Sequence, residues 1–150
     1  MKTTQTFLML LLIFSVNTFA QSRDKIIELM IDYSLNVGKA GYTHNFVDDR
    51  LNPALDDLEK IVCQNNDQQL LEDFLNMMLA TTGSANEKPA DVLAAIFICR
   101  TDMVESLLKT KYKNADILEM LSFGFLNLTS GNDKPENYQE LQLRLASLLK

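Results

Sequence analysis

Histidine is almost missing from this sequence: His44 is the single one, in the segment Gly41-Tyr42-Thr43-His44-Asn45. A histidine-based metal site needs further ligands at suitable spacing, such as a second histidine or a CxxC pair, and neither is present. A hydrolytic triad needs a nucleophile and an orienting acid around the imidazole, and no Gly-x-Ser-x-Gly occurs. His44 therefore reads as a plain loop or helix-start residue. Glycine is also sparse, with five copies scattered at turn-like positions, so there is no glycine-rich phosphate loop. The oxygen-ligand spacing of an EF-hand, with its central glycine and terminal glutamate, is absent. Basic charge is scarce as well: 14 Lys and Arg face 20 Asp and Glu, for a net charge of −6. Nucleic acid demands a basic footprint and an anionic membrane surface attracts cations, so the balance argues against both partners. These absences predict no catalysis, no metal and no cofactor.

There are two cysteines, Cys63 and Cys99, which allow one intramolecular pairing. Whether a bridge forms depends on compartment, and the N-terminus speaks to that. Met1-Lys2 supplies one positive charge, Phe7 to Phe14 form a short apolar core, and Thr18-Phe19-Ala20 ends small-x-small. These are the three parts of a secretory signal. A membrane anchor is the alternative, but a spanning helix needs roughly 20 apolar residues and this run is much shorter. The expectation is a signal over residues 1–20, cleaved to leave Gln21 first, and one domain over 21–150 of ordinary size. Losing Lys2 takes the net charge to −7. A bacterial periplasm is the favoured destination, with eukaryotic secretion the alternative. Either is oxidising enough for disulfides to persist, so a Cys63–Cys99 bridge is expected over two buried thiols. After cleavage the protein is not expected to be membrane-embedded.

Hydrophobic residues make up 47% of the chain, a globular proportion, and their spacing is helical from end to end. Ile26, Met30, Tyr33 and Val37 recur every three to four residues before Gly38 and Gly41. Val47, Leu51, Leu55, Leu58 and Val62 make a second stripe, interrupted by Asn52-Pro53. Either a new helix starts there with Pro53 in its first turn, or one long helix kinks; the former is preferred. Asp67 reads as an N-cap for a helix carrying Leu70, Leu71, Phe74, Met77 and Met78. Val92 to Cys99 is apolar on all sides and opens with Pro89, so it reads as a central, well-covered helix. Further faces are Met103, Val104, Leu107 and Leu108; Ile117, Leu118, Leu121, Phe125 and Leu128; and Tyr138 to Leu149 after Pro135. No segment alternates as a half-buried strand does.

The fold class expected is all-α, with about six helices in an irregular helical bundle or a short α-solenoid-like stack. The solenoid alternative rests on an echo. Phe74-Leu75-Asn76 runs on to Asn86-Glu87-Lys88-Pro89, and Phe125-Leu126-Asn127 runs on to Asn132-Asp133-Lys134-Pro135.

The residues that stand out are carboxylates: Asp48, Asp49, Asp56, Asp57 and Glu59. In an unbroken helix Asp49 and Asp56 share a face. Paired carboxylates perform acid–base chemistry only when they converge in a cleft in unlike environments. After Pro53, Asp56 and Asp57 also suit the positive end of a helix dipole. Asn127-Leu128-Thr129 matches a glycosylation acceptor, relevant only to a eukaryotic secretory route. The functional expectation is a small exported binding protein of the inhibitor, immunity or adaptor type. It would present the five carboxylates to another protein with a basic surface. The alternative is a carrier enclosing an apolar ligand among its many Leu, Met, Ile and Phe side chains.

Overall fold

The computed structural model describes residues 22–39, 44–131 and 134–150. The expected signal over 1–20, Gly41 and the Asn132-Asp133 pair of the echo lie outside them. The described residues are all-α. Helix α1 covers 22–36, and α2 is the short turn His44–Phe46. A π-helical turn, Val47–Leu51, leads into α3 (Asn52–Asn65). Then follow α4 (Gln68–Ala80), α5 (Lys88–Cys99), α6 (Thr101–Thr110), α7 (Ala115–Thr129) and α8 (Tyr138–Leu148). Setting aside the three-residue turn α2, the seven longer helices among the described residues agree with the expectation of about six.

Pro53 stands in the first turn of α3 after a short turn, as the preferred reading has it, yet the coil does not break there. Phe46, Leu51 and Asn52 all have right-handed helical angles, so the chain coils continuously from His44 to Asn65. Inside a regular helix Pro53 would lack its N–H bond and its ring would press on the carbonyl four residues back. The π turn relieves this by widening the coil just upstream, with the Asn52 N–H reaching Val47 O five residues back.

The termini follow local chemistry. Helix α3 stops at Asn66, whose φ of 58° is left-handed, a conformation asparagine tolerates better than most residues. Asp67 caps α4 by accepting the Leu70 N–H at 2.9 Å, as its position predicts, and pairs with Arg23 of α1 at 2.8 Å. Burial alone would raise the Asp67 carboxyl, but Arg23 and the Leu70 N–H outweigh it and hold it below the usual range. Asn114 caps α7, accepting from Asp116 and Ile117 N–H at 2.8 and 3.2 Å. Pro135 stands three residues ahead of α8, in a turn closed by the Tyr138 N–H on Pro135 O.

The all-round apolar helix α5 is central, as its composition requires, packing on α3, α6 and α7. Its tightest contact is with α7. There Gly124 lies so close to the first turn of α5 that a Cβ on it would fall 2.0 Å from Ala90 O. Farther along this face Phe97 and Phe125 meet edge to face at 6.0 Å. Phe125 in turn stacks on Tyr138, which brings the chain on toward α8. Arg144 of α8 grips α6 through Glu105 at 2.8 Å and through Asp102.

The echo does not define a repeat. Leu75 is fully buried whereas its counterpart Leu126 is 64% exposed. Pro89 lies inside the first turn of its helix, and Pro135 does not. The architecture is an irregular bundle around α5. Cys63 and Cys99 are joined across α3 and α5, with Cα atoms 5.8 Å apart. Arg100, just beyond, donates through Nη2 to Cys63 O near the carbonyl-rich end of α3, where positive charge complements the helix dipole.

Candidate functional site

The π turn decides where the five carboxylates point. An extra residue in the coil stretches two helical turns from seven residues to about eight. Asp49 is accordingly brought together with Asp57, not with Asp56. Both line an open cleft of about 470 Å³ between α1 and the start of α3, together with Lys25, Arg50 and Pro53. Asp57 is tied to Lys60 at 2.9 Å in an exposed pair whose attraction water largely screens. Arg50 lies over the Phe46 ring at 5.4 Å.

Asp56 turns toward α5 and binds Lys88 Nζ at 2.5 Å, so its charge serves the α3–α5 contact. Glu59 is half-buried beside it. Burial first, then the Asp56 carboxylate, push the Glu59 carboxyl above its ordinary range, against the pull of Lys88 and Lys60. Asp48 points elsewhere again, into an open cleft of about 420 Å³ with His44, Tyr33 and Gly83. His44 and Asp48 are both exposed there, one helical turn apart. Among the described residues neither Asp48 nor Asp49 makes an ion pair. The five predicted carboxylates therefore fall into three groups, and only Asp49 and Asp57 share a cleft.

Three acidic residues escaped the sequence reading. Asp24, Glu28 and Asp32 recur every four residues along α1 and line an adjoining cleft of about 530 Å³ with Lys25 and Arg50. Their spacing of four is legible in the sequence, running alongside the apolar stripe of α1. The two clefts share Lys25, Leu29 and Arg50, so α1 and α3 present one acidic surface with two cations set into it.

No group of three or more metal-ligating side chains is assembled among the described residues. No described helix is long and apolar enough to cross a membrane. In the glycosylation match Thr129 is buried, its hydroxyl donating to Phe125 O at 2.6 Å, and Asn127 donates to Asp91 at 3.1 Å. The large apolar side chains invoked for a carrier are largely spent on one another: Phe74, Phe97, Leu93 and Met78 are all fully buried. The chain matches no protein-family model, and neither a curated protein nor a solved structure resembles it significantly.

Proposed function

We propose that this is an exported binding protein that works by protein–protein contact, without catalysis, as an inhibitor, immunity-type protein or adaptor. Residues 1–20 act as the cleaved signal, and the bridged cysteines suit the oxidising compartment beyond it. The periplasm is the destination proposed, with secretion as the alternative. The observation that carries the reading is the acidic α1–α3 surface, on which Asp49 joins Asp57 beside the Asp24, Glu28 and Asp32 ladder. Such a surface steers a basic partner into place and makes the encounter sensitive to salt. Asp48 opens into a separate cleft next along the chain, while Asp56 pairs with Lys88 of α5 and so anchors the helix that displays the surface.

The test is affinity capture with protein recovered from an exporting culture, its intact mass beginning at Gln21. One stoichiometric protein should be retained from native envelope or extracellular extract and released by salt. A variant with Asp48, Asp49 and Asp57 each changed to Lys should retain roughly tenfold less or worse, the scale of losing close interfacial charge pairs. Equal retention by the variant would show the surface idle. A retained small molecule in place of a protein would favour the carrier.

A further inference from the structure

A further groove adjoins the Asp48 cleft, sharing Gly83, Ser84 and Asn86 with it, and lies between the 81–84 turn, the first turn of α5 and the N-terminal half of α7. It holds about 300 Å³. Its apolar wall is Ala90, Met120 and Phe123, and its acidic members are Glu87, Asp116 and Glu119. Helix α7 supplies one side by periodicity: 116 to 119 and 120, and these to 123, are three- and four-residue steps along a single face. Phe123 is 42% exposed, although a ring of that size is normally hidden in a monomer of this size. No lysine or arginine lines the groove, and among the described residues its three carboxylates make no ion pair.

We propose that this groove docks a basic amphipathic segment of a partner protein, an apolar side chain seating on Phe123 and Met120 while an adjacent lysine or arginine meets Glu87, Asp116 and Glu119. Charge complementarity selects this occupant. Three carboxylates without ion-pair partners beside an aromatic face repel an acidic ligand, offer a neutral one no charge pairing, and attract a cation, which also gains from the ring's negative face. A second copy of the chain is a poor fit, because it carries net negative charge and its Lys109 and Lys111 are already paired with Glu105 and Glu72. The proposal does not depend on the α1–α3 surface.

A short synthetic amphipathic peptide of lysine and leucine, titrated into isotope-labelled protein and followed by amide chemical shifts, tests it. Shifts should concentrate on residues 81–90 and 116–124. Phe123→Ala, and separately the pair Glu87→Lys and Glu119→Lys, should each weaken binding roughly tenfold or more, the scale of an anchor lost from an interface. These positions are exposed, so the variants should fold, which circular dichroism confirms. The pair Asp49→Lys and Asp57→Lys should leave the peptide affinity unchanged, which separates this groove from the α1–α3 surface. Shifts confined to α1 and α3, with none at 81–90 or 116–124, would overturn the proposal, as would equal binding of a peptide with glutamine in place of lysine. So would a dimer in sedimentation that Phe123→Ala abolishes.

Discussion

Replacing Gly124 with alanine sets two effects against each other, and the structure says which wins. In a helix interior alanine is favoured over glycine by roughly 1 kcal/mol, so propensity alone predicts a more stable protein. Here the new Cβ would stand 2.0 Å from Ala90 O, 2.4 Å from Ala90 C and 2.9 Å from Asp91 N. Ordinary carbon contacts lie near 3.5–4.0 Å, so relief demands a movement well beyond ~1 Å. The obstacle is the backbone of α5, which cannot swing aside as a side-chain tip can. Helix α7 must retreat, and the contacts around Ile117, Leu121 and the Phe97–Phe125 pair loosen with it. Overpacking of this kind costs about 1–3 kcal/mol and occasionally more. Taking the upper end and subtracting the propensity gain leaves a net loss of about 2 kcal/mol, or on the order of 6–10 °C in Tm for a domain of this size. Urea unfolding followed by circular dichroism measures it, with Gly131→Ala as the control. Gly131 has nothing within 4 Å of its added Cβ and should change stability by no more than about 0.5 kcal/mol. A Gly124→Ala protein as stable as the parent, at unchanged m-value, would refute the close α5–α7 crossing.

Two further outcomes are expected. Changing both cysteines to serine frees a loop with a sequence separation of 36 and should cost roughly 3.5–4 kcal/mol, read by the same titration; an unchanged midpoint would show that the bridge adds nothing. The Arg144 and Lys109 hydrogen bonds hold the Glu105 carboxyl below its ordinary value of 4.5, outweighing its partial burial. The folded state thus favours the charged form: the stabilisation is complete above that value and fades as pH falls through the lower folded-state pKa. Thermal melts should show a decline on acidification below about pH 4.5 that is shallower in Glu105→Gln, and identical slopes would remove Glu105 from the account.

The helical character of the chain and the centrality of α5 were legible because both rest on local periodicity and on an apolar run that has no solvent face. The cap at Asp67 was legible for the same reason, depending on a side chain and the backbone within the next three residues. The π turn ahead of Pro53 was not. A regular helix cannot absorb that residue without a kink, and one extra residue in the upstream turn removes the conflict in a way no pattern of apolar positions reveals. Its register shift also broke the expected partnership of Asp49 with Asp56. The diversion of Asp56 to Lys88 depends on a residue 32 positions away, beyond the reach of helical spacing. Phe123 was missed for a different reason: no sequence signal separates an aromatic ring that lies open on a helix from one that packs.

The link between Cys63 and Cys99 also bears on how the chain survives cutting. All of α4 and most of α5 lie between the two bridged positions. Exposed residues such as Thr82, Gly83 and Glu87 lie in the connection inside that ring, and protease attack favours such places. A single break there leaves both new ends on one covalent molecule, held together at the feet of α3 and α5. A break beside exposed Lys113, outside the ring, instead separates α7 and α8 from the rest of the backbone. The two connections are thus unequal in what a nick does: one merely opens a loop, while the other turns a folded chain into two pieces that contacts alone must hold.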